Sequence, residues 1–421
     1  MNDELLKEIA IEQQNMLQTT PAGLERTSLQ HIKQYFTLPQ VVIIAGIRRA
    51  GKSTLLAQIR RSFDEPAYYF NFEDERLLDF QVTDFNHLYE VLLELYGQRK
   101  IFFFDEIQNV AGWERFVRRM NDCGFKFFIT GSNASLLSKE LGTKLTGRHV
   151  SYALYPFSFQ EYLLFRGCHF QKNDVRETAK RAVLKKYFLE YMKQGGMPEY
   201  LTYHNPKTVK EVYNNILYRD IIVRYGITET KSLRELSLYL LSNIGVPFSF
   251  NNLKKVLGLG SVNTVKSYIE YLENSFLFFT INLYQDSVKR QIIAPKKVYS
   301  IDPVFIDTMG FRFSDNQGRV LENMVFLELK RRGGEIYYYK NKQNGEVDFL
   351  VRQNNKQKSI MQVSWRIDNE KTKQREVQNL LLAMEELRLS DSLLLTYDTV
   401  DTIKIDNKTI IVKPIYQWLI E

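Results

Sequence analysis

Gly46, Gly51, Lys52 and Ser53 stand in the segment GIRRAGKS at the spacing G-x-x-x-x-G-K-[ST], directly after the apolar run Val41 to Ala45. That spacing suits phosphate chemistry. The glycines let the backbone turn so that successive N–H groups point at phosphate oxygens without a Cβ in the way. Lys52 supplies a cation for the β- and γ-phosphates, Ser53 a hydroxyl for Mg²⁺, and the helix opening there a positive dipole end. The contact set expected for the nucleotide is therefore Gly46, Arg48, Arg49, Ala50, Gly51, Lys52, Ser53 and Thr54, a P-loop. Arg48 and Arg49 can meet phosphate or face solvent.

A second chemical pair closes the apolar run Ile101 to Phe104. Asp105 can hold the Mg²⁺ shell with Ser53, and Glu106 can orient, or take a proton from, the water that attacks the γ-phosphate. Ser132 and Asn133 follow the run FKFFIT and reach the same layer if that strand lies beside the P-loop strand; the other reading is a turn held by Asn. Arg148 precedes the next strand, where it can neutralise phosphate charge within the chain or across a subunit, or pair with a surface carboxylate. Glu73 and Asp74 end the strand AYYFNF and are read either as neighbours of the water or as a solvated strand end.

These residues need a scaffold. Apolar runs at residues 41–45, 67–72, 101–104, 125–130 and 150–154, separated by helical segments, predict a five-stranded parallel sheet with crossover helices, an α/β fold. Residues 1–38 read as a helical lead-in, 39–155 as the P-loop core and 156–231 as a helical lid or linker. In residues 232–310, three short helices with a glycine turn at 258–260 precede strands near 276–283 and 296–301, which suggests a winged helix. There Asn263, Thr264, Lys266 and Ser267 are groove-facing candidates and Lys289, Arg290, Lys296 and Lys297 phosphate contacts, while Glu270 and Glu273 on the same helix favour a solvated face or packing between domains equally well. Residues 311–421 follow an α-β-β-β-α-β order, opening on a helix in which Leu321, Val325 and Leu329 share a face.

Composition narrows the classes. Of 421 residues, 44% are hydrophobic and 25% charged, which is ordinary for a soluble globular chain with several cores. The net charge of +8 permits an anionic partner without requiring one. Cys123 and Cys168 are too few for a disulfide framework or zinc site, no run reaches the roughly 20 apolar residues of a membrane span, and the N-terminus lacks a secretory pattern, so a reducing cytoplasm is expected.

The segments GIRRAGKST, IFFFDEIQ, ITGSNASLL with LTGR, YPFSFQEYL, KKVYSIDPVF and VLENMVFLEL with GEVDFLV together resemble the uncharacterised AAA-related ATPases of bacteria and archaea. The resemblance covers nearly everything after about residue 20. It implies a sheet of the additional-strand type, ATP as the nucleotide, a winged helix, and a C-terminal restriction-endonuclease-like domain of the PD-(D/E)xK type. Nucleases of that type hold Mg²⁺ on an acidic helix residue and a strand Asp, matched here by Glu322 and Asp348, followed by Glu-x-Lys. At that last position this chain has Gln362 and Ser364: an amide is a poorer Mg²⁺ ligand than a carboxylate and a serine supplies no positive charge, so an inactive nuclease fold is expected. The resulting expectation is a Mg²⁺-dependent ATPase coupled to a DNA or protein partner, its oligomeric state left open. The rivals are a nucleotide-gated DNA-binding switch with negligible turnover and an ATP-regulated nuclease.

Overall fold

The computed structural model describes residues 2–137, 139–145, 147–170, 172–310, 317–353 and 357–421; Thr146 of the LTGR segment lies outside them. The chain divides into two compact units, Met1–Tyr155 with Asn274–Phe276, and Pro156–Glu273 with Leu277–Glu421.

In the first unit, β1 (Val41–Ala45), β2 (Ala67–Asn71), β3 (Ile101–Asp105), β4 (Lys126–Gly131) and β5 (His149–Ala153) form one sheet in the order β2-β3-β4-β1-β5. All pairings are parallel. β4 thus lies between the P-loop strand and the strand that ends in Asp105, the additional-strand arrangement. β1 and β3 are buried along their whole length, as runs without alternation require when helices cover both faces. Val42, Ile44, Leu55, Leu56, Phe103 and Phe128 belong to one core layer, and the Phe103 and Phe128 rings stack at 5.0 Å. A parallel sheet carries all its strand C-termini on one edge, so the loops after β1, β3 and β4 converge there.

The lead-in belongs to this unit. Helix Asp3–Thr19 lies along β2, an edge strand. Gln13 exchanges two bonds with the main chain of Asn71, Nε2 to O at 3.0 Å and N to Oε1 at 2.8 Å. Gln14 accepts from Tyr69 N at 3.1 Å and donates to Ala67 O at 3.4 Å. Two carboxamides thereby occupy hydrogen-bonding groups that a further strand would use.

The second unit is built on an eight-stranded mixed sheet, β12-β13-β11-β10-β9-β8-β6-β7. Its strands are β6 (Phe278–Leu283), β7 (Lys296–Ser300), β8 (Glu335–Lys340), β9 (Glu346–Arg352), β10 (Lys358–Ser364), β11 (Asp391–Thr396), β12 (Asp401–Ile405) and β13 (Lys408–Pro414). Helices Thr230–Ser242, Phe250–Val256 and Val262–Asn274 precede the antiparallel pair β6 and β7. β6 also pairs in parallel with β8, at Asn282 with Tyr337 and Leu283 with Tyr338. The sheet therefore runs across the expected boundary between residues 310 and 311, and the hairpin and the C-terminal segment share one core. Helix Gln317–Arg332 differs from the single-face reading, since every residue from Leu321 to Leu329 is buried.

Candidate functional site

β1 delivers the chain to the phosphate loop between two parallel neighbours, with Ala45 in register with Gly131 on β4 and with Ala153 on β5. Gly46 N donates to Gly131 O at 3.2 Å. A Cβ on Gly46 would lie 2.2 Å from the Leu154 carbonyl oxygen, so glycine is required there by close approach. Gly46→Ala should lower stability by about 3 kcal/mol, the upper end for overpacking, because the obstacle is backbone and cannot swing aside; a denaturant midpoint equal to that of the parent would refute this. Gly51 caps helix Lys52–Arg61 at φ +93°, and Arg49 also adopts a positive φ, +64°. Arg26 of the lead-in is buried behind the loop and donates to Ala50 O at 2.9 Å and Tyr155 O at 2.7 Å. It has no sequence motif to announce it.

Lys52 is buried, and its Nζ lies 3.3 Å from Ile47 O and 3.1 Å from Glu106 Oε1. Glu106 sits in the left-handed region at φ +51°. Its Oε2 accepts from Gln108 Nε2 at 2.6 Å and from Ser132 N at 3.0 Å, and its own N–H donates to Thr130 Oγ1 at 3.2 Å. Asp105 accepts from the hydroxyls of Thr130 and Ser53. The Ser53–Asp105 contact places a hydroxyl and a carboxylate side by side, a donor set that fits one Mg²⁺.

Burial pushes both carboxyls up, and the outcome differs between them. Burial followed by the neighbouring Glu106 charge leaves Asp105 raised, against its bonds from Ser53 and Thr130 and the pull of Lys52. For Glu106, burial is outweighed by the Lys52 charge, the Gln108 bond and Arg48, so it ends lowered and ionised. The pair thus contains a committed carboxylate beside a cation that a phosphate can compete for.

Other expected residues fall differently. Arg48 pairs with Glu73, and Asp74 caps a short helix while binding Arg76. β4 does lie beside β1, but Asn133 Oδ1 accepts from Ser135 N at 2.8 Å, so its carboxamide oxygen serves a turn, while Ser132 donates its main-chain N–H to Glu106 and its hydroxyl accepts from Gln108 Nε2 at 3.3 Å. Arg148 follows the surface-pairing alternative. Its carbonyl accepts from Val41 N at 2.9 Å and its side chain pairs with Asp122. That is the N-terminal end of β1, about 16 Å from the phosphate loop at 3.3 Å per residue, so it does not reach this chain's own site. Gln108, which no motif announces, stands three residues after the strand-ending Asp105, close enough for its amide to turn back to Glu106.

In the second unit, Glu322 and Asp348 do come together, but around a lysine. Lys297 of β7 is 1% exposed, and its Nζ lies 2.9 Å from Glu322 Oε1, 2.8 Å from Glu346 Oε1 and 3.1 Å from Asp348 Oδ1. Tyr299 OH donates to Glu322 Oε1 at 2.7 Å. Gln362 accepts from Asp348 N at 3.1 Å and donates to Glu376 Oε2 at 2.8 Å, and the Ser364 hydroxyl donates to Arg366 O at 3.0 Å. Burial among three carboxylates leaves Lys297 out of reach of a phosphate, contrary to the expectation for the hairpin. Glu273 is also turned inward, accepting from Thr280 N and Oγ1, both at 2.8 Å, whereas Asn263, Lys266, Lys289 and Arg290 are exposed. No helix among the described residues is long and apolar enough to cross a membrane.

Comparison with known proteins places these features. Residues 38–163 match the AAA domain family, and residues 185–313 and 317–418 match two domains of unknown function. A solved Walker-type ATPase of Pyrococcus abyssi is similar at 15% identity and TM-score 0.41, covering 68% of this chain and 95% of its own. An uncharacterised protein of Haemophilus influenzae is 31% identical over 77% of this chain and 82% of its own length. The uncharacterised protein MJ1544 of Methanocaldococcus jannaschii is 36% identical over 90% of this chain and 88% of its own. With a P-loop on a five-stranded parallel sheet and relatives matched over most of their length, the chain belongs to an uncharacterised AAA-related family of archaea and bacteria that includes MJ1544.

Proposed function

We propose that the chain binds Mg·ATP at residues 46–54 and hydrolyses it in the cytoplasm. The observation that carries this reading is the convergence, at one edge of the sheet, of the Lys52–Glu106 pair and the Ser53–Asp105 pair. Ser53 and Asp105 would hold Mg²⁺, which when bound neutralises phosphate charge. Loop N–H groups bind the phosphates, Lys52 leaves Glu106 for the terminal phosphate, and Glu106, still held by Gln108 and Ser132, orients the water and receives its proton. Asn133 helps shape that corner through its turn. Arg148 would serve only a neighbouring copy in an oligomer.

Gln108→Ala should lower kcat about 10-fold with KM unchanged, because the base loses one of its two Oε2 donors; a KM change with kcat intact would count against it.

Helices 230–242, 250–256 and 262–274 with the β6–β7 hairpin are read as a winged helix that couples nucleotide state to duplex DNA or a protein, and residues 311–421 as a nuclease-like module without nuclease activity. Exposed Asn263, Lys266, Lys289 and Arg290 favour DNA as the second reading, a nucleotide-gated switch with negligible turnover. Phosphate release measured with and without duplex DNA, alongside the salt slope of DNA binding, separates the two. Turnover without ATP-dependent DNA binding supports the ATPase with a protein partner. ATP-dependent DNA binding without turnover supports the switch, and Mg²⁺-dependent cleavage lost in Asp348→Ala would overturn the inactive-nuclease reading.

A further inference from the structure

The carboxylates that a divalent metal would need in the second unit are already spent. An ammonium has three N–H donors, and Lys297 meets three carboxylates, from helix Gln317–Arg332 and from β9. Glu322 Oε1 is shared between Lys297 Nζ and Tyr299 OH. Asp348 Oδ2 accepts from Val363 N at 3.0 Å, and Gln362 spends its amide on Glu376. A metal among these oxygens would sit within contact distance of a positive charge that is 1% exposed, in an interior that screens charge poorly. The residues present do not fit Mg²⁺.

We propose that Lys297 is the resident cation of this cluster: it takes the place of a divalent metal, and β7 thereby plugs the site. Lysine and tyrosine arrive together because Lys297 and Tyr299, two apart on a strand, project to the same face. The plug comes from the hairpin and the carboxylates from the helix and strand beyond residue 316, so the cation and the groups it occupies are brought together by the shared sheet. All Mg²⁺ dependence of the intact protein then resides at Ser53 and Asp105. The inference does not depend on ATP hydrolysis.

The test is Mn²⁺ binding to the full chain, without nucleotide, at neutral pH, for the parent, Asp348→Asn, Lys297→Ala and the double variant. Parent and Asp348→Asn should bind the same number of equivalents. Lys297→Ala should bind one more per chain, lost again in Lys297→Ala/Asp348→Asn. If Lys297→Ala folds only when Mn²⁺ is supplied, the metal has replaced the ammonium and the proposal stands. A parent equivalent that disappears in Asp348→Asn would overturn it. So would a folded Lys297→Ala that gains no equivalent, or an unfolded one that Mn²⁺ does not rescue.

Discussion

Glu106→Gln protein should bind Mg·ATP at least as tightly as the parent and release phosphate roughly 100-fold or more slowly, the loss expected when a positioned general base is removed. The substitution keeps the side chain's shape. The amide oxygen can remain in the place of Oε2, accepting from Gln108 and Ser132 N, but the amide nitrogen then faces Lys52, which has no use for a donor. Lys52 is released from its carboxylate partner, so a phosphate no longer competes for it. Affinity is thus preserved or improved while the proton acceptor is gone. Binding by fluorescent nucleotide and turnover by phosphate release check the two halves separately, and an unchanged rate would remove Glu106 from the mechanism.

Lys52→Ala should abolish measurable ATP binding and also destabilise the first unit by about 3–5 kcal/mol at neutral pH, the range for stripping one partner from a buried ion pair. Lys52 is 4% exposed and Glu106 7%, so the orphaned carboxylate has little water to turn to. The pH dependence gives the sign. In the parent the Glu106 pKa is lowered from 4.5, so its contribution is present above the unfolded value and lost as pH falls through the folded one. Without Lys52, burial dominates and raises the folded pKa, so the penalty is full at high pH and disappears as pH falls. The stability gap between variant and parent should therefore narrow on acidification. Lys52→Ala/Glu106→Gln should recover most of the stability and none of the ATP binding. A single variant as stable as the parent at pH 8 by denaturant unfolding would refute the buried-pair argument.

Local chemistry was legible wherever one stretch of chain carries the information. An apolar run, a glycine turn and Lys-Ser describe a strand, a loop and a helix in 16 residues, 41–56, and Asp105-Glu106 needs only the strand before it. The α-β-β-β-α-β order from residue 317 onward follows from periodicity in the same way. Relations across long separations were not legible. Nothing in FFTINL says that β6 pairs with β8 some fifty residues on, which is what merges the hairpin with the C-terminal sheet. Lys297 looked like a wing cation because a lysine's ordinary place is solvent; its carboxylate partners lie 25 to 51 residues away. The burial of Glu322, Asn323 and Glu328 in helix Gln317–Arg332 is likewise set by what surrounds it. The place of Arg148 follows from strand direction alone: a residue preceding a parallel strand lies on the sheet edge opposite the loop that follows its neighbour.

The two glutamines of helix Asp3–Thr19 bear on how the chain is made as well as on how it rests. During synthesis that helix emerges before β2, whose main-chain groups at Ala67, Tyr69 and Asn71 it will engage. The rim of the sheet is therefore met by a partner from its own chain, already outside the ribosome, before β3 arrives to take the other side. A polypeptide carrying Gln13→Ala and Gln14→Ala would leave the rim groups at Tyr69 and Asn71 without these partners, and its failure would show first as lost soluble yield during expression.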